Sequence, residues 1–268
     1  ENSSPALTNC TFSGNDALIN GGGLLNWDGS DPTLTNCTFC GNSVSSSGGG
    51  MFNESSSPIL TNCTFSENAA SASGGGIYNW SNSDPTLTNC ILWADTPDEI
   101  LNNTSSPDVT WCDVQVSSGT YTGTGNINRD PQFINPGSVN FHLESDSPCI
   151  DAGTNAAVSL PTEDFEGDDR IIDGDNDGQA IADMGVDEAT YSYLTIFCDP
   201  VFGGTVSLDP PGDVCPAGTV VTLTGSPSTG YAFANWSGDL SGGINPGTIM
   251  MDSHKTVPAQ FSFSGSPI

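Results

Sequence analysis

Three short words recur at a fixed spacing, and nothing else in the chain constrains its fold as strongly. "LTNCTF" stands at 7–12, 34–39 and 60–65, and a shortened "LTNC" at 87–90. The cysteines of these words, Cys10, Cys37, Cys63 and Cys90, follow one another by 27, 26 and 27 residues. A weaker copy, "VTWCDV" at 109–114, places Cys112 after a step of 22. Two further words keep the same beat: "FSGN", "FCGN", "FSEN" at 12–15, 39–42 and 65–68, and "GGGLLN", "GGGMFN", "GGGIYN" at 21–26, 48–53 and 74–79. Self-similarity at this period signals a solenoid. Helical repeats need runs of about ten or more residues with a 3.6-residue period, and here Gly, Ser, Asn and Pro interrupt every few positions. The apolar words are short and strand-like.

Within "TLTNCTF" the apolar residues are Leu34, Cys37 and Phe39, so strict alternation breaks once, at Asn36. Asn tolerates the left-handed backbone region better than most residues. A strand that bends at Asn36 keeps all three apolar side chains pointing inward. This is the corner of a parallel β-helix, and it predicts an all-β fold with about 26–27 residues per coil over residues 1–115. Asn9, Asn36, Asn62 and Asn89 are then expected to stack as an amide ladder, as Asn does in cross-β arrays. The paired words "FxxN" and "GGGΦ" (Φ apolar) resemble the FxxN and GGAΦ words of polymorphic outer-membrane-protein repeats. That resemblance implies a right-handed parallel β-helix on a bacterial surface. Gly23, Gly50 and Gly76 stand where those repeats usually have Ala.

The stacked column Cys10, Cys37, Cys63, Cys90 reads first as packing, because rungs roughly 4.8 Å apart hold parallel cysteines slightly beyond disulfide range. Ladder disulfides and a metal site are the alternatives. The only CxxC is "CTFC" at 37–40, with neither His142 nor His254 near it in sequence. Nine cysteines leave at least one thiol free or paired between chains.

Past residue 90 the repeat degrades. "DPQF" (130–133), "FHLESDSPCIDAG" (141–153) and "DMGVDE" (183–188) resemble the C-terminal end of secreted, choice-of-anchor-type β-helix proteins. The resemblance implies that 116–189 finishes and caps the solenoid. Eleven acids fall within 163–188, opposed only by Arg170. Inside, Asp173, Asp175, Asp177 and Gly178 match the DxDxDG half of a calcium loop, with Gln179 offering a carbonyl. Asp183 would replace the bidentate Glu that such loops place last. Calcium is the cofactor this pattern predicts, and the alternative is a solvated acidic loop.

Residues 190–262 alternate apolar and polar positions in "TVSL", "TVVTL" and "VPAQF", the pattern of half-buried strands. "GYAFANWSGDLSG" followed by "IMMDSHKTVPAQF" is similar to the small β-grasp-like repeat of the divergent internalin B-repeat kind. Phe233, Trp236 and Phe261 are the expected core. Cys198 and Cys215 bracket an expected hairpin and form the best disulfide candidate, suited to an oxidising exterior. Residues 263–268 read as a tail.

Lys and Arg number 3 against 32 Asp and Glu, a net charge of −29. This excludes nucleic acid and anionic membrane as partners, since both need a basic footprint. No apolar run approaches a membrane span. The start at Glu1 without a signal-peptide pattern reads as a processed or truncated product, and the first hexamer begins so early that a further coil or another molecule is expected over that end. These features predict a secreted or cell-surface, bacterial-type structural protein, adhesin-like or filament-forming. Its expected partners are copies of itself, a surface or extracellular-matrix partner, or a polysaccharide. A glycan-binding module using Trp27, Tyr78 and Trp80 is the alternative. A polysaccharide lyase or hydrolase fits less well, because Arg129, Arg170 and Lys255 all lie outside the repeats and the repeat acids do not converge.

Overall fold

Each repeat forms one coil, and the coils stack in register. The structure, a computed structural model, describes residues 3–174, 177–216, 219–251 and 255–264. A first parallel sheet takes the LTN words as Ala6–Thr8, Thr33–Thr35, Ile59–Thr61, Thr86–Thr88 and Asp108–Thr110. The second sheet takes the CTF words as Thr11–Ser13, Thr38–Cys40, Thr64–Ser66, Ile91–Trp93 and Asp113–Val114. Asp16–Ala17, Ser43–Val44 and Ala69–Ala70 form a short third sheet. The GGGΦ words form a fourth, Leu24–Trp27, Met51–Glu54, Ile77–Trp80 and Ile100–Asn103. Equivalent residues pair with one another, Leu34 with Leu60 and Phe39 with Phe65.

The corner falls at Asn, as the broken alternation predicts. Asn9, Asn36, Asn62 and Asn89 have φ of 53°, 50°, 51° and 54°. Leu34, Cys37 and Phe39 consequently all point inward and are fully buried. Phe12, Phe39 and Phe65 stack face to face, their ring centroids 4.6 and 4.4 Å apart. The glycines of the GGGΦ words let neighbouring coils meet backbone to backbone. A Cβ on Gly50 would lie 2.7 Å from the Gly76 carbonyl oxygen and 2.8 Å from Phe65 Cδ1, which accounts for Gly in place of Ala.

The continuous amide ladders lie elsewhere than the corner. Asn15 donates to Asn42 and Asn42 to Asn68, both at 2.9 Å, and Asn68 donates to Asp95 at 2.8 Å. A second ladder runs Asn26, Asn53, Asn79, Asn102 with every rung at 2.8 Å. At the corner, Asn36 reaches Asn9 at 3.1 Å and Asn89 reaches Asn62 at 3.4 Å, but Asn62 donates to the carbonyls of Asp183 and Gly185. The ladder expected of Asn9, Asn36, Asn62 and Asn89 is therefore interrupted, because another part of the chain binds the corner amides.

That part is the segment 150–189. Residues 109–128 close the last coil, with Asn126 holding Cys112 N and Val109 O. The chain then folds back along the flank as a strap instead of only capping an end. Thr154 binds Asn89, Asp183 and Gly185 bind Asn62, and Glu163 O and Arg170 bind Asn36. Val186 N bonds Thr64 Oγ1, and Val186 packs with Cys40 and Phe141 over the second sheet. Thr38, Cys40, Thr64 and Ser66 are buried as a result, so both faces of this sheet are covered.

The chain divides into two compact units, 1–189 and 190–268. In the second unit, Tyr191–Asp199 and Lys255–Phe263 pair in parallel at the centre of a sheet flanked by Val214–Pro216 and Tyr231–Trp236. Gly204–Asp209, Thr219–Pro227 and Gly247–Met251 form an antiparallel second sheet. Trp236, Phe261, Val221, Leu223 and Met251 fill its core, with Phe233 packed against them. Trp236 Nε1 donates to Ile244 O at 2.8 Å, so this Trp is a core residue. No helix crosses the sheets among the described residues.

Candidate functional site

The acidic strap is the densest collection of chemistry in the chain. It contains few strands, so its backbone N–H groups need other acceptors, and its acids supply them. Asp164 Oδ1 accepts from the N–H groups of Glu166, Gly167 and Asp168 at 2.8–2.9 Å, and its Oδ2 accepts from Glu188 N. Asp183 accepts from Asp151 N and Ala189 N, both at 2.7 Å. Glu188 accepts from Ile172 N and Asp183 N. Burial raises the Asp183 carboxyl well above its ordinary range and lifts Glu188 to about 9. Fully buried Arg170 sits among them, donating to the carbonyls of Val186 and Asp187 and to Asn36 Oδ1, with Glu188 at 3.6 Å.

This divides the residues expected to bind calcium. Asp173 accepts from Asp177 N and Gly178 N at 3.0 Å, and Asp177 accepts from Gln179 N at 2.8 Å. Asp175 lies outside the described residues. Asp183 is held elsewhere, with both carboxylate oxygens already engaged in the strap interior. Asp173, Asp177 and Gln179 thus remain together, although Asp173 also gives both oxygens to backbone N–H groups, and Asp183 lies apart in the strap interior.

A second group of acids was not apparent from composition or motif. Asp95 ends the Asn15–Asn42–Asn68 ladder, its Oδ1 accepting from Asn68 N at 2.7 Å and Asn68 Nδ2 at 2.8 Å. Glu99 Oε1 accepts from Asp95 N at 3.1 Å. The other oxygens, Asp95 Oδ2 and Glu99 Oε2, are buried without a donor and lie beside a cavity of about 420 Å³. Burial raises Asp95 to about 7; burial and the neighbouring Asp95 charge raise Glu99 to about 10. The two carboxyls are electrostatically coupled, each influencing the other's ionisation. The signal for this pair was in the sequence: Asp95 occupies the ladder position held by Asn in three earlier coils.

The cysteine column packs. Cys37, Cys63, Cys90 and Cys112 are fully buried, and each thiol donates to the carbonyl two residues earlier at 3.2–3.4 Å. Burial pushes the Cys63 and Cys112 thiols well up. The expected Cys198–Cys215 disulfide is not formed, and all nine cysteines are free. The strand of Cys215 pairs with the beginning of Tyr191–Asp199, setting Cys215 opposite Ser192. Cys198 lies six residues further along that strand, opposite Ala259. At about 3.3 Å per residue the two are separated by roughly 20 Å. The hairpin expected between them does not exist, because Gly204–Asp209 belongs to the other sheet.

The aromatic residues expected to be exposed lie on the fourth sheet. Trp27, Glu54 and Trp80 are successive partners in one column, with Trp27 62% and Trp80 40% exposed. Tyr78 stacks on Phe52 at 5.3 Å.

The family described as right handed beta helix region matches residues 1–147. The chain belongs to the right-handed β-helix family. The divergent InlB B-repeat domain matches residues 194–264, the span of the second unit. No curated protein and no solved structure matches the chain. The β-helix and B-repeat-type modules together fit a scaffold. Among the described residues, no helix is long and apolar enough to cross a membrane.

Proposed function

We propose that this β-helix protein is a non-enzymatic extracellular scaffold of the bacterial surface, adhesin-like or filament-forming. One observation carries this reading: the residues that recur from coil to coil are used to hold the coils to one another. Phe12, Phe39 and Phe65 stack, the cysteines fill the interior, the glycines bring backbones into contact and two amide ladders run along the stack. Repetition here builds a stiff body. The attached B-repeat-type domain supports placement at a cell surface, with a second copy or a surface component as partner. Calcium, taken up by Asp173, Asp177 and Gln179, would offset repulsion along the exposed side of the strap. The test is negative-stain microscopy and sedimentation of the purified chain with and without calcium, beside product assays on a panel of polysaccharides. Calcium-dependent assembly supports the scaffold. Release of reducing ends or unsaturated sugars would sink the non-enzymatic part.

A second reading rests on Trp27 and Trp80, which stand in one outward column of the fourth sheet two coils apart. Aromatic faces at that spacing suit a neutral glycan. Retarded migration of a monomer in polysaccharide gels, abolished by Trp80→Ala, would favour it over self-assembly.

A further inference from the structure

His142 from the strand Asn140–Leu143 converges with Glu166 and Asp187 from two stretches of the strap, and their ligand-type atoms all lie within 4.8 Å of one another. We propose that they form a binding site for one divalent metal ion of the zinc type, which clasps the strap to that strand beside the second sheet.

The argument begins with the protons of His142. Asn140 Oδ1 accepts from His142 N at 3.1 Å, and a backbone N–H can be received only by the amide oxygen, so the orientation of this amide is fixed. The same oxygen lies 2.5 Å from His142 Nδ1. Nδ1 therefore carries a proton and donates it. The remaining nitrogen, Nε2, faces Glu166 Oε2 at 2.6 Å and Asp187 Oδ1 at 3.9 Å, both acceptors. Something positive must stand between Nε2 and these oxygens: a second proton or a cation. An imidazole whose far N–H is held by an oxygen is the arrangement that metal-binding histidines adopt.

The carboxylates are placed to complete it. Asp187 Oδ2 accepts from Leu143 N at 3.1 Å, which fixes the group and leaves Oδ1 toward the ring. Glu166 is half exposed, on the turn that Asp164 closes through Glu166 N, Gly167 N and Asp168 N. Bonds of about 2.0–2.2 Å to a shared tetrahedral ion would hold the two ligand atoms roughly 3.3 Å apart and part Glu166 from the ring by about 0.7 Å, a movement its exposure permits. A cavity of about 140 Å³ adjoins the three residues and is also lined by Thr11 and Thr38. It leaves room for water as a fourth ligand. One nitrogen and two carboxylate oxygens with few ligands suit zinc, whereas calcium takes six to eight oxygens. The ion would join the strand Asn140–Leu143, the Asp164 turn and the stretch at Asp187 that lies on the second sheet through Val186.

The experiment is a titration of the full chain, freed of metal by a chelator, with Co²⁺ and Zn²⁺. The expected result is one Co²⁺ displaced by Zn²⁺, with visible bands and no near-ultraviolet thiolate absorption, because the cysteines take no part. Affinity falls at least 10-fold in Glu166→Gln and is lost in His142→Gln. Asn140→Ala, which touches no metal, weakens binding about 10- to 100-fold. Zinc raises the thermal transition of the native chain but not that of His142→Gln. Should His142→Gln fail to fold, Glu166→Gln carries the test, since its side chain is exposed. Unchanged affinity in these variants, thiolate bands with Co²⁺, or no binding at millimolar Zn²⁺ would overturn the proposal and leave an imidazolium ion pair in its place.

Discussion

Asp95→Asn should stabilise this protein, and the gain should depend on pH. Asp95 holds the ladder position that Asn15, Asn42 and Asn68 hold in earlier coils, but it faces Glu99 with a second buried carboxyl. Burial raises Asp95 from the ordinary 3.8 to about 7. At 1.36 kcal/mol per pKa unit, holding this group ionised in the folded state costs on the order of 4 kcal/mol. The sign follows from proton counting. Below about pH 4 both folded and unfolded chains are protonated, and the group makes no difference. Between pH 4 and 7 the unfolded chain releases the proton while the folded chain retains it, so stability falls as pH rises. Glu99, raised to about 10, extends the same decline into alkali. An Asn at 95 keeps the acceptor for Asn68 N and Nδ2 and carries no charge. Urea denaturation of both chains from pH 4.5 to 9 measures the difference. The two should agree within about 1 kcal/mol at pH 4.5. At pH 8 the variant should be more stable by about 2 kcal/mol or more, the coupling to Glu99 absorbing part of the full figure. A variant that is less stable at pH 8, or a difference that does not change with pH, would refute the reasoning.

Gly50→Ala puts a Cβ 2.7 Å from the Gly76 carbonyl oxygen and should cost roughly 1–3 kcal/mol by overpacking, read from the urea midpoint. Arg170→Ala strips the donors from Asn36 Oδ1 and the Val186 and Asp187 carbonyls; a loss of about 3–5 kcal/mol is expected, with faster proteolysis within 150–189. Titration of thiols in denaturant without reductant should count nine, and a count of seven would show one disulfide and refute this.

The solenoid was legible because each position's environment is the same position one coil away. A residue type that recurs every 26 or 27 places announces its own neighbours, and the break in alternation at Asn36 marks the corner. The corner ladder keeps its Asn9–Asn36 and Asn62–Asn89 rungs and breaks between them for a reason in the same logic. "LTNC", "FxxN" and "GGGΦΦN" all repeat an Asn, and periodicity alone does not say which column faces its own copies and which faces something unrepeated. The strap decides this, through bonds that join Asn89 to Thr154 across 65 residues and Asn36 to Arg170 across 134. Contacts at such separations, made once each, leave no period to read.

The acids show the same limit from the chemical side. A run of carboxylates in sequence suggests a cation, since like charges together need a counterion. In the structure Asp164, Asp183 and Glu188 instead receive the backbone N–H groups of a segment that has almost no sheet to receive them. Which acids remain for a cation then depends on which N–H groups are already satisfied elsewhere. Asp173 gives both oxygens to the N–H groups of Asp177 and Gly178, Asp177 gives one to Gln179 N, and Asp187 keeps one oxygen facing His142. The strap is acidic first because it is irregular, and the carboxylate oxygens that its backbone does not use are few.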